Sequence, residues 1–233
     1  MVNTTISKHR LSKRYSIGRL AVGWRERIFE SIKSERLKLA VAVISATGCR
    51  PSELEIGVFI KYADDGQLRV GIQGTKVDAE MKRGQPLRLL FICKDSLWGR
   101  YLKEHTIAAG GMMIIKYDAE GVSQRLREKS RELWPRRSNL VSAYSYRHYI
   151  GRAMKESGLP ADKIAAALGH ASDFAQSYYG RAGGGKKTAG QHGILKAITK
   201  NPIRHSPKTD RHLMFVNSEN RIKADRIRSG MGK

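Results

Sequence analysis

Between Leu37 and Thr47 the chain reads LKLAVAVISAT, apolar almost all the way round a helical turn. A helix of that kind has no face to offer water, so it must be enclosed by other elements on every side. Its longest apolar run, around Leu39 to Ala46, is far short of the roughly 20 residues needed to cross a bilayer. It reads instead as the central helix of a core, with Gly48 as its natural terminator. At 233 residues the chain is long enough to build that core, as one large domain or one domain with appendages.

After the central helix the pattern changes period. Arg50 falls at a helix junction, Pro51 suits the first turn of a short second helix, and Glu53 stands near that helix's positive end. From Val58 to Cys93 the chain reads VFIKY, a turn at ADDG, then QLRVGIQG with Leu68, Val70 and Ile72 alternating, then QPLRLLFIC. This predicts three antiparallel strands joined by hairpin turns. Helical patterns return at about 95–109, 120–133, 143–157, 160–168 and 173–180, with Pro160 in a first turn and Gly158 just past an end. The expected class is α+β, mainly helical with a small three-stranded antiparallel sheet. Beyond it, GILKAITK reads as a short helix and HLMFVN as a short strand, and no internal repeat is visible.

Charge narrows the function. Forty-four Lys and Arg against 21 Asp and Glu give a formal +23, the sign that attracts polyanions, with nucleic acid as the leading partner. No basic amphipathic helix or lipidation signal points to a membrane surface, and MVNTTISKHRLSKR has no apolar signal-peptide core. A soluble, cytoplasmic protein is expected, nucleoid-associated if prokaryotic. Residues 1–36 carry nine basic and three acidic side chains and residues 180–233 carry thirteen and three, so both ends read as DNA-contacting or flexible arms, or as solvated tails. Cys49 and Cys93 cannot supply a disulfide framework or a cysteine-rich zinc site, and they read as small core residues. GRAGGGKKTAGQHG approaches a phosphate loop, but Lys187 stands where Ser or Thr should ligate magnesium and the segment comes after a helix; it reads as a linker.

One constellation remains. Tyr179 lies nine residues after His170 in LGHASDFAQSYYG, Arg147 lies in YSYRHYIG, and Arg50 lies in TGCRPSEL. A phenol can form a covalent ester with a phosphate, arginine forks can hold the non-bridging oxygens, and an imidazole can bond to the same oxygens. Each residue also has a plainer reading. A tyrosine on an apolar helix usually packs, as Tyr178 next door reminds us, and Arg50 before Pro and Glu is otherwise a capped helix start with a local ion pair.

TGCRPSEL, Thr75-Lys76 with Pro86 following, YSYRHY, LGHAS and Tyr179 together resemble the catalytic domain of the tyrosine recombinases, the phage-integrase family. The five pieces come in the family's order from about Leu37 to Arg181. The resemblance implies a catalytic domain over 37–182, a basic arm or linker over 1–36 and a basic extension over 183–233, hinged at Gly183, Gly184 and Gly185. It implies that Tyr179 attacks DNA to leave a 3′-phosphotyrosine, with neither metal nor ATP as cofactor. Arg50 and Arg147 would hold the phosphate, Lys76 would protonate the departing 5′ oxygen, His170 would bond a non-bridging oxygen, and Glu53 would orient an arginine. Lys82 and Arg83 in the same hairpin are rivals of Lys76. Self-assembly on DNA, as a tetramer in synapsis, is the implied partner state.

Two departures stand out. The family's His-x-x-Arg has Tyr144 in the histidine's place, three before Arg147, and a phenol is a poor proton acceptor at neutral pH. His148 is set about 100° round the helix from Arg147 and reads as no substitute. The family also carries a helical DNA-binding domain ahead of the catalytic one, and some 36 residues precede the match here. The expected activity is site-specific recombination or integration of DNA, as of a mobile genetic element. A type IB topoisomerase or telomere resolvase with the same residues, and a non-catalytic DNA-binding relative, are the alternatives.

Overall fold

A computed structural model describes residues 20–78, 80, 83–179 and 190–211. The apolar stretch forms α2, Glu35–Thr47, after α1, Trp24–Ser31. Ser34 caps α2 by accepting the Leu37 N–H, and Gly48 ends it in the left-handed region. From Ala40 to Ala46 every side chain is essentially without solvent contact, as a helix apolar on all faces requires. It packs against α4 (Leu97–Ala108) and α6 (Ala143–Glu156).

The packed body begins upstream of residue 37. Trp24, Ile28 and Ile32 are buried in the same core, and the Trp24 ring meets Tyr146 edge-on at 4.7 Å. The Arg25 guanidinium lies 3.9 Å from the centre of the Tyr149 ring, a cation–π contact that carries its charge into the interior. A stretch expected to be a basic arm is thus, from residue 24 on, part of the fold.

Among the described residues the sheet has five strands, not three. β1 (Val58–Tyr62), β2 (Leu68–Gln73) and β3 (Leu87–Ile92) occupy the expected meander, with Val58 opposite Ile72 and Val70 opposite Leu90. β4 (Met112–Ile115) adds to the free edge of β1 and β5 (Ile194–Thr199) to that of β3, giving the antiparallel order β4-β1-β2-β3-β5. β4 is four residues long and mostly exposed, too short to show a period. β5 replaces the short helix expected there, because ILKAIT fits either period over six residues. The open edge of β3 decides it, pairing Leu89 with Ile198 and Phe91 with Lys196. Part of the basic extension is therefore built into the sheet of its own chain. HLMFVN lies outside the described residues, as do the linker glycines at 183–185.

Three further helices, α3 (Pro51–Ile56), α5 (Ala119–Leu133) and α7 (Ala161–Leu168), lie within a few residues of their expected positions. The last expected helix is a short 3₁₀ segment, Asp173–Tyr178, packed on α7. Among the described residues no helix is long and apolar enough to cross a membrane.

Candidate active site

Four elements meet around Arg147. The residue sits in the first half of α6, and its side chain is fully buried. Its NH1 donates to the Gly48 carbonyl at the end of α2 (2.9 Å) and its NH2 to the Leu168 carbonyl at the end of α7 (2.5 Å). Its Nε donates to the Tyr179 hydroxyl at 2.7 Å. A buried guanidinium bonded on three sides has one available pose, so the ends of two other helices fix the direction in which it presents charge.

Tyr179 is only 9% exposed. A β-carbon added at Gly151, one turn beyond Arg147, would come within 2.8 Å of the tyrosine's own Cβ, so the glycine in YRHYIG is what lets the ring lie against α6. His170 Nε2 stands 3.1 Å from the Tyr179 hydroxyl and 3.2 Å from Arg147 NH2. Because the arginine nitrogen can only donate, Nε2 accepts, which places the neutral imidazole's proton on Nδ1. The hydroxyl accepts from Arg147, so its own proton points at His170 Nε2, whose single lone pair it shares with Arg147 NH2. Burial, with the charges of Arg147, Arg50 and Arg88, pushes the His170 imidazole down to about 2, so the ring is neutral.

On the other side stands a second cluster. Arg50, 7% exposed, donates from NH1 to Glu53 Oε1 at 2.7 Å, while Glu53 Oε2 accepts the Arg50 backbone N–H at 2.8 Å. The capped helix start and the site arginine are thus the same structure. Burial favours the neutral form of Glu53. The charge and hydrogen bonds of Arg88, then the charges of Arg50 and Arg147, override it and hold the carboxyl well below the usual carboxylate range.

Arg88 was missed in the sequence, although a signal was present: in QPLRLLFIC it shares the inward phase of Leu90 and Ile92, where a charge needs a buried partner. Gln85 was also missed. Its side chain donates to the His170 carbonyl and accepts from the Asn201 N–H. Asp173 ties in residues 204–209, accepting from the Ser206 N–H and the Thr209 hydroxyl and pairing with His205. The segment between His170 and Tyr179 is therefore braced by the same chain's own C-terminal residues.

The other expected residues stand apart. Lys76 is exposed in the hairpin between β2 and β3; a bond of 2.7 Å between the hydroxyls of Ser52 and Thr75 ties the start of that hairpin to α3. Arg83 is likewise exposed, and Lys82 and the side chain of Tyr178 lie outside the described residues. Tyr144 is 37% exposed and makes no hydrogen bond to the cluster among the described residues. His148 is nearer than its helical angle suggested: its ring centre is 5.0 Å from that of Tyr179, because the tyrosine lies across α6 and reaches past Arg147.

No protein-family model matches the sequence, and no curated protein matches it. Solved structures do. The crystal structure of the XerA recombinase superposes with a TM-score of 0.51 at 18% identity, covering 69% of this chain and 58% of that one. The likeness shows the fold. The XerH site-specific recombinase, bound to its difH substrate in a pre-cleavage complex, matches with a TM-score of 0.46 at 17% identity over 69% of this chain and 49% of that one. The matched region thus spans about half the length of these recombinases.

Proposed function

We propose that this chain is a site-specific DNA recombinase that breaks and rejoins double-stranded DNA through a 3′-phosphotyrosine at Tyr179. The observation that carries the reading is the convergence on one phenol of Arg147 Nε at 2.7 Å and His170 Nε2 at 3.1 Å. Such a phenol sits beside a fixed cation that stabilises its phenolate and opposite a neutral acceptor that its proton can reach. Arg50 and Arg147 would neutralise the charge on the five-coordinate phosphorus, with Glu53 fixing Arg50. An incoming phosphate would take the Arg147 donor that the Tyr179 hydroxyl now occupies, moving the phenol from the clamp to the line of attack. Lys76 would swing in from the hairpin to protonate the 5′ oxygen. Strand exchange would then proceed in an assembly of copies on DNA, a tetramer in synapsis.

The test works whatever the target sequence is. A library of nicked duplexes randomised around the nick would be incubated with the protein and denatured, and the DNA left on the polypeptide sequenced and its attachment mapped. Adducts at Tyr179 on a defined sequence support the reading. Relaxation of any supercoiled plasmid without sequence preference would favour a type IB topoisomerase, and DNA binding with no adduct would leave a non-catalytic relative.

A further inference from the structure

We infer that Arg88 is a positioning residue for the proposed phosphate clamp: it acts on Arg50 through Glu53 and underlies the turn that presents His170. This rests on the function proposed above. Arg88 and Glu53 meet fork to fork, NH1 to Oε1 at 3.0 Å and NH2 to Oε2 at 2.8 Å, both side chains shut off from solvent. The same two carboxylate oxygens receive Arg50, one from its guanidinium and one from its backbone N–H. With Arg88 holding both oxygens in a plane, Glu53 presents Oε1 to Arg50 in a single orientation.

A second contact runs to the histidine. Gly169, at φ 68°, would place a β-carbon 2.5 Å from Arg88 NH1 and 3.0 Å from its Cζ, so the guanidinium is packed directly beneath the residue before His170. Arg88 is itself excluded as a phosphate ligand, being 1% exposed with both terminal nitrogens on Glu53. Its Nε–H has no acceptor among the described residues. A buried ion pair that leaves a donor unpaired is a poor device for stability alone, and an apolar residue in the inward phase of β3 would serve the core better.

The experiment uses the full chain and the variants Arg88→Lys, Arg50→Lys and their combination. With saturating DNA in single turnover, Arg88→Lys should slow adduct formation by roughly 10²-fold, the order found for loss of a transition-state donor, with little change in DNA affinity. Added to Arg50→Lys, it should slow the reaction far less than it does alone, because the route through Arg50 is then already lost and only the support beneath the His170 turn remains. Defects that multiply would overturn the inference. A readout free of activity accompanies this: in ¹⁵N-arginine spectra of the unliganded protein, the guanidinium signals of Arg50 should be slow to exchange in the wild type and lost in Arg88→Lys, while those of Arg147 persist. Arg50 signals unchanged by Arg88→Lys would equally overturn it. A wild type that forms no adduct refutes the recombinase reading, while the spectra still decide the role of Arg88. If Arg88→Lys does not fold, Arg88→Gln takes its place, since it removes the fork while leaving Glu53 to Arg50. That variant must lose the Arg50 signals, and retention of them refutes the proposal.

Discussion

The two sides of the candidate site are held in opposite ways. Arg147 is buried, bonded to the carbonyl ends of two helices and to Tyr179, and cannot turn without breaking all three contacts. Lys76 stands exposed on a hairpin tied near its base, by Thr75 to Ser52 and by Gln85 to the His170 carbonyl. A group that must meet a developing charge gains from being fixed in advance, since no reorganisation is then needed at the moment of reaction. A group that must deliver a proton to a departing oxygen gains from being able to arrive with the substrate. On this contrast, changes on the buried side should alter chemistry irrespective of the leaving group, and changes on the hairpin should be curable by one.

The strongest test is the nucleophile itself. Tyr179→Phe keeps the ring against Gly151 and deletes the oxygen, so adduct formation should disappear altogether while the fold and DNA binding persist. Tyr178→Phe should leave the adduct intact. A surviving adduct in the first variant breaks the assignment.

Next comes the rigid clamp. Arg147→Lys keeps a charge but cannot reach Gly48, Leu168 and Tyr179 together, and Arg50→Lys loses the planar match to Glu53. Single-turnover cleavage should fall about 10²- to 10³-fold in either. If cleavage falls only in proportion to DNA affinity, these arginines are anchors and the contrast fails on its buried side. For Lys76→Ala the expected loss on ordinary DNA is about 10²-fold, with near-normal cutting of a bridging 5′-phosphorothiolate, whose leaving group needs no proton. Equal defects on both substrates would remove Lys76 from the role.

The contrast also bears on what could be read from the sequence. TGCRPSEL, LGHAS and the Arg147–Tyr179 pair were legible because each couples a helix end to a side chain with specific chemistry. The inward strand residues Leu68, Val70 and Ile72 were legible because alternation leaves no other reading. Arg88 was not: strand period places it inward, but only the fold brings Glu53 from 35 residues away to receive it. β5 was not, because six residues of ambiguous period take their conformation from whichever edge is open, and that edge belongs to β3. The reach of His148 to Tyr179 was lost for a related reason. Angles along one helix say nothing about a ring laid across it from another element.

Stability against pH probes the buried side without any DNA. His170 is held neutral, its folded value below the ordinary 6.5, so unfolding takes up a proton once the pH drops below that value; stability is full above about 6.5 and declines as pH falls. Glu53 acts in the same direction from below its ordinary 4.5, because its carboxyl is held ionised in the fold. Urea unfolding between pH 7 and 5 should therefore show a decline that His170→Asn makes shallower, by up to about 1.4 kcal/mol per pH unit. Parallel slopes in the two proteins would mean that the imidazole is not buried neutral.

The smallest effect is expected at Tyr144, and it sharpens the contrast most finely. It stands three residues before Arg147 on the same helix, yet its side chain is 37% exposed and joins none of the described site groups. The Tyr179 proton already faces an acceptor, His170 Nε2, held there by Gln85 on its carbonyl and by Arg147 on its ring. An imidazole at 144 would titrate near neutrality, but it would enter a site whose proton has a nearer destination. Tyr144→His should accordingly change the single-turnover rate by less than about 3-fold and leave its pH profile between about 6 and 8 in place, whereas His170→Gln should lower the rate through the whole range. A clear rise with Tyr144→His, accompanied by a new titration near the ordinary imidazole value of about 6.5, would show that position 144 reaches the phenol in the DNA complex, and the acceptor would then have to be sought on the exposed side of the site.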